Sequence, residues 1–161
     1  GRTGKLYGYM NYDVQPDIVS TAKGLGGGLP IGACLFNEKT QDVLDAGSHG
    51  STFGGNPIAA AGACYILSKL DDQFLAEVVK KGEILKEAFT GAKGVKSIVG
   101  MGLMWGIEPE GNLSDIVNEL LKEGVVVLTA KTKIRLLPAL TIPEDQLKKA
   151  ISIMKDVLAK A

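Results

Sequence analysis

A chain of 161 residues, 45% hydrophobic and 22% charged, holds one ordinary domain, or one small domain and a piece of another. Its 18 basic and 18 acidic side chains cancel, which removes the electrostatic footprint of a nucleic-acid or anionic-membrane binder. No stretch is long and apolar enough to span a membrane, and the N-terminus lacks the apolar core of a signal peptide. Two cysteines, Cys34 and Cys64, without His or Cys neighbours at ligand spacing, form neither a zinc site nor a disulfide framework. Each lies in an apolar stretch, so both are expected to be buried thiols in a reducing cytoplasm. The chain opens on Gly1-Arg2-Thr3-Gly4 without an initiator Met, which reads as the middle of a loop and suggests a fragment of something longer.

In chain order, an apolar strand-like run leads to Lys23, and glycines crowd the region that follows: Gly24, Gly26, Gly27, Gly28, Gly32, Gly47, Gly50, Gly54 and Gly55. Residues 31–36 read as a short buried strand and 40–44 as a short helix. Asn56 and Pro57 then supply an N-cap and a first helical position for a helix reaching about Leu70. Asp71 and Asp72 break or cap the chain before an amphipathic helix over 73–89, with Leu75, Val78, Val79, Ile84, Leu85 and Phe89 as its candidate buried side. Residues 95–100 and 103–108 read as strands around a turn at Gly100-Met101-Gly102. Ser114 caps a helix to about Lys122, residues 125–128 and 133–137 read as two further strands, and Pro143 opens a last helix with Ile151, Met154 and Leu158 inward. Residues 1–72 therefore look like the end of a larger α/β domain, and 73–161 like a small α+β unit.

Three features carry chemistry. The first is Lys23 between a strand-like run and a glycine-rich turn. A free lysine ammonium, with a pKa of about 10.4, is a poor nucleophile at neutral pH, and small apolar surroundings would free the amine. Glycines leave room for a flat ring. Taken alone, a lysine is more often a solvated surface group. The second is His49-Gly50-Ser51-Thr52-Phe53-Gly54-Gly55-Asn56-Pro57, just ahead of a helix N-terminus, where exposed N–H groups and the helix dipole favour an anion. Ser51 and Thr52 add hydroxyl donors, or are only turn residues. His49, the sole histidine, reads as a structural or rim residue rather than an acid–base catalyst. The third is Arg135, inside the apolar run 133–140. Its charge cannot be removed, so it either pairs with an acidic side chain or faces a cleft and grips a carboxylate with both prongs.

Together these stretches resemble the class III aminotransferases of pyridoxal phosphate (PLP) fold type I, and within them the acetylornithine branch. The likeness rests on Gly1 to Leu6, Pro16 to Val19, Ala22 to Ala33, His49 to Pro57 and the arginine before Leu136-Leu137-Pro138, and it covers essentially the whole chain in order. It implies that Lys23 carries PLP as a Schiff base and shuttles the substrate proton. It implies that Thr52, beside Ser51, donates to the cofactor phosphate of a neighbouring subunit in a homodimer, and that Arg135 binds the α-carboxylate of the amino acid and of 2-oxoglutarate. The implied reaction moves the amino group of N2-acetylornithine to 2-oxoglutarate in cytoplasmic arginine biosynthesis. Ornithine and 4-aminobutyrate are the alternative donors. No metal, nucleic acid or membrane enters the expectation.

The family's acid that pairs with the pyridine nitrogen, its ring-stacking aromatic and other phosphate-binding backbone would all lie ahead of Gly1. The resemblance thus makes this chain a C-terminal part of the fold: the end of the large domain and the small α+β domain. By itself it is expected not to catalyse transamination, and to expose apolar surface prone to association. A non-catalytic assembly module retaining the fold, and a PLP-dependent aminomutase or decarboxylase relative, are the competing readings.

Overall fold

The computed structural model describes residues 1–161. The chain forms two compact units: Tyr9–Phe74, and Gly1–Gly8 together with Leu75–Ala161.

The Tyr9–Phe74 unit contains a two-stranded antiparallel ribbon, β1 (Ile18–Thr21) and β2 (Ala33–Phe36), in register from Ile18 opposite Phe36 to Thr21 opposite Ala33. Between the strands, Lys23–Gly26 forms a single 3₁₀ turn. Helix α1 (Pro57–Lys69) begins where Asn56 and Pro57 place it: the Asn56 side-chain oxygen accepts from the Ile58 and Ala59 amides at 3.0 and 3.1 Å. The face of α1 that meets the lysine turn is made of small residues apart from Ile66, which lies against Gly27. Ala59 and Ala63 are buried, and a Cβ at Gly62 would stand 3.0 Å from the Gly26 carbonyl oxygen, so glycine there lets the turn seat directly on the helix.

Three expectations change in this unit. The strand over 31–36 is shorter, and all four of its residues are exposed. A ribbon of two strands has no second layer to bury its faces. For the same reason Cys34 is exposed; Cys64, on the outer side of α1, is exposed as well. Residues 40–44 form turns instead of a helix. Asn37 and Thr40 satisfy the local backbone instead: the Lys39 amide donates to the Asn37 side-chain oxygen at 3.0 Å, and the Thr40 hydroxyl to the Asp17 carbonyl at 3.0 Å.

The second unit is a four-stranded antiparallel sheet of order β3-β4-β6-β5, built from β3 (Val95–Met101), β4 (Met104–Pro109), β5 (Leu128–Ala130) and β6 (Lys133–Leu136). Three helices accompany it: α2 (Asp72–Phe89, from Leu75 onward in this unit), α3 (Leu113–Lys122) and α4 (Glu144–Leu158). Period-two alternation sends Trp105 and Ile107 of β4 and Ile134 and Leu136 of β6 to one face, where they are buried. The helices answer at helical spacing with Val78, Leu85 and Phe89 from α2, Ile116 and Leu120 from α3, and Leu147, Ile151, Met154 and Leu158 from α4. The opposite face of the sheet keeps Val99, Met101, Met104 and Leu128 exposed.

Here too the boundaries shift for physical reasons. Val79 is exposed, while Leu75 and Ile84 are half-buried. The cap of α3 is Asn112, which accepts from the Ser114 and Asp115 amides at 2.9 and 3.2 Å. Ser114 therefore lies inside the helix. The strand expected over 125–128 lies at Leu128–Ala130. Gly124, at φ +83°, ends α3 with paired closing bonds, from the Gly124 amide to the Leu121 carbonyl and from the Val125 amide to the Leu120 carbonyl. Those bonds use the backbone a longer β5 would need.

Candidate active site

Lys23 opens its 3₁₀ turn with φ +56°, in the left-handed region. Lys131 is the other non-glycine residue with positive φ, and a two-residue hairpin turn between Ala130 and Lys133 accounts for it. No hairpin accounts for Lys23. A β-carbon in that region is costly, and such outliers cluster where backbone geometry is held for a purpose. The Lys23 side chain is exposed and takes no ion pair or hydrogen bond. Around it, Gly24 and Gly28 leave open space where side chains would stand. The small apolar enclosure expected for this amine is therefore not supplied by the residues of its own turn.

Ser51 and Thr52 are exposed, and neither hydroxyl is bonded within the chain. A Cβ at Gly54 would stand 2.9 Å from the Ser51 Cβ, so the loop closes tightly on glycine. The α1 N-terminus is less available than the sequence suggests. Its first-turn amides at Ile58 and Ala59 are taken by Asn56, the Ala60 amide bonds the Asn56 carbonyl, and Pro57 has no N–H. An anion here would be met by the Ser51 and Thr52 hydroxyls and the helix dipole, not by α1 amides. His49 is exposed in the same loop.

Arg135 belongs to the other unit, on β6 between Gly106 of β4 and Leu128 of β5. Of the two readings open for it, an acidic partner is absent: no carboxylate pairs with it, and its Nε is shielded from solvent without an acceptor. A buried guanidinium nitrogen left unpaired is costly, and a carboxylate arriving from outside would satisfy it. Arg135 also contributes to the wall of a cavity of about 570 Å³, otherwise lined mainly by apolar residues such as Leu85, Val127, Ile151 and Met154.

One residue with a role in this arrangement carried no chemical signal in the sequence. Arg2 is half-buried, and its Nη1 donates to the Leu103 carbonyl at 3.1 Å and to the Pro138 carbonyl at 2.5 Å. Burial lowers its pKa from the ordinary arginine value. Behind Arg135 on the same strand, Lys133 pairs with Glu108 at 2.5 Å; with Lys96 and Ser97 also bonding it, the Glu108 carboxyl is pushed down to about 2.

Lys23, Ser51 and Thr52 lie in the Tyr9–Phe74 unit and Arg135 in the other. The family model of aminotransferase class-III matches residues 1–158, and the chain belongs to that family. Its mixed α/β fold is part of a fold type I structure. More particularly, it is 48% identical over 162 aligned residues to the acetylornithine aminotransferase of Haemophilus ducreyi, covering 99% of this chain and 41% of that protein. Among solved structures it is similar to acetylornithine aminotransferase from Elizabethkingia anophelis, at 31% identity and TM-score 0.87, covering 99% of this chain and 43% of that one. It is also similar to Plasmodium falciparum ornithine δ-aminotransferase, at 36% identity and TM-score 0.85, with 98% and 44% covered. The chain spans about two fifths of the length of the curated relatives it matches. No helix is long and apolar enough to cross a membrane.

Proposed function

We propose that the protein carrying this chain is a PLP-dependent acetylornithine aminotransferase of arginine biosynthesis, acting in the cytoplasm, and that Lys23 is its cofactor lysine. The observation that carries the reading is the left-handed, unpaired Lys23 in a glycine-lined turn seated on α1. The residues present fit the cofactor at two points: an exposed primary amine at Lys23, and unpaired hydroxyls at Ser51 and Thr52 ahead of a helix. When bound, PLP supplies the electron sink for loss of the substrate's α-proton. Lys23 Nζ holds the cofactor and moves that proton. Thr52, with Ser51, donates to the phosphate. Arg135 grips the α-carboxylate of the amino acid and of 2-oxoglutarate, orienting each for the same chemistry.

Residues 1–72 are proposed as the end of the large cofactor domain and 73–161 as the small domain, although the first eight residues, Gly1–Gly8, pack with the latter. A homodimer is proposed, with the Thr52 loop serving the neighbouring subunit's cofactor; its support is the exposed apolar surface beside Thr52, where Phe53 is 84% and Ile58 71% accessible. Acetylornithine is preferred to ornithine or 4-aminobutyrate because curated acetylornithine aminotransferases are among its relatives at 38–48% identity.

The test uses the full-length protein. PLP addition should produce a visible absorption band that Lys23→Ala removes, and N2-acetylornithine with 2-oxoglutarate should turn over with a higher kcat/KM than ornithine or 4-aminobutyrate. A band indifferent to Lys23→Ala, or no turnover of any of these donors, would leave a non-catalytic assembly module as the better reading.

A further inference from the structure

The Gly1-Arg2-Thr3-Gly4 motif is not used by the chemistry above, yet the arginine in it makes contacts that bear on Arg135. Strands β4 and β6 pair at Ile107 with Ile134, Gly106 with Arg135, and Trp105 with Leu136. Continued in the same register, the ladder would set Leu103 opposite Pro138. That rung cannot form normally: Pro138 has no N–H, and the Leu103 amide is engaged by the Arg2 carbonyl at 2.9 Å. The two carbonyls at this end therefore have no donor from either strand. Arg2 Nη1 supplies one to both, at 3.1 Å to Leu103 and 2.5 Å to Pro138. The backbone around Arg2 is fitted to the place. A Cβ at Gly102 (φ +54°) would run into the Arg2 carbonyl and Thr3, so glycine in the β3–β4 turn is what lets the segment lie against it.

We infer that Arg2 is a positioning residue for the substrate carboxylate site: it closes the open end of the β4–β6 ladder and so fixes the strand on which Arg135 stands. This rests on the reading of Arg135 as the carboxylate grip. The geometry gives the inference its direction. Without a donor between them the two carbonyls repel, the strands part from the Pro138 end, and Arg135 lies next along β6 after Leu136. Arg2 touches no reacting atom in this scheme and acts only through Arg135.

The experiment compares Arg2→Met, Arg2→Lys and Arg135→Lys in the full-length enzyme with its cofactor bound. Arg2→Met should raise KM for both the amino donor and 2-oxoglutarate by about tenfold, the equivalent of one charge-assisted hydrogen bond. It should leave kcat within about twofold and the Lys23-dependent absorption band unchanged. Arg2→Lys, whose ammonium can still bridge two carbonyls, should fall between wild type and Arg2→Met. Unchanged KM in Arg2→Met overturns the inference. So does a joint fall of kcat, band and thermal stability in both Arg2 variants, because that pattern marks a merely structural residue. Should Arg135→Lys itself leave both KM values untouched, the reading of Arg135 fails and the inference falls with it, whatever the Arg2 variants do.

Discussion

At the scale of single residues, backbone conformation separates two lysines that a sequence treats alike. Lys131 and Lys23 both sit at positive φ, but Lys131 does so in a two-residue hairpin turn, where any residue tolerating φ > 0 would serve. Lys131→Gly is therefore expected to raise the stability of its unit by about 0.5–1 kcal/mol, as relief of left-handed strain outweighs the added chain entropy; denaturant melts would show it. A loss of stability there would mean the Lys131 side chain contributes more than its conformation costs. The same relief at Lys23 would come with loss of the amine proposed to hold the cofactor. Arg135 shows the complementary case: it has no ion-pair partner and its Nε is shielded without an acceptor, which is the support for proposing it as a carboxylate grip.

At the scale of elements, helix boundaries follow side-chain bonding to the first free amides. Asn112, not Ser114, supplies the oxygen that caps α3, through bonds to the Ser114 and Asp115 amides. Asn112→Ala should cost about 1 kcal/mol, whereas Ser114→Ala should stay within about 0.5 kcal/mol. Thermal melts of the two variants decide between them, and equal losses would count against the cap. Asn56 plays the same part for α1, and by doing so it occupies the amides that would otherwise face an anion. The phosphate-binding expectation for that loop accordingly passes from the helix backbone to the hydroxyls of Ser51 and Thr52.

At the scale of the whole molecule, the sheet-and-helix unit gathers its ionic structure around two carboxylates, the half-buried Glu108 and the more exposed Glu144. Lys133, Lys96 and Ser97 bond Glu108, and Lys148 and Lys80 bond Glu144; both carboxyls are pushed down to about 2. A carboxyl whose folded pKa lies below its ordinary value stabilises the fold above the ordinary value, about 4.5, and loses that contribution as pH falls through about 2. The unfolding midpoint of this unit should thus fall between pH 4.5 and 2, and Glu108→Gln should flatten the slope. Identical profiles for variant and wild type would remove Glu108 from the account. The contribution is small and salt-dependent for Glu144, whose lysine partners are exposed, and less screened for the half-buried Glu108–Lys133 pair.

The sequence by itself was enough for the family and for most elements, because those depend on local signals. Asn56-Pro57 is a local helix-start signal, heptad-like spacing put Ile151, Met154 and Leu158 on one face of α4, and the Lys23 and Thr52 stretches resemble the family within a few neighbouring residues. What only the tertiary structure decided was everything that depends on a neighbour distant in the chain. Cys34 is exposed because no second layer covers β2, and β5 moves because the turn after Gly124 uses its backbone. Arg2, in the sequence only one residue of a matching stretch, bonds the Leu103 and Pro138 carbonyls because a proline there withholds the donor that a strand would ordinarily provide.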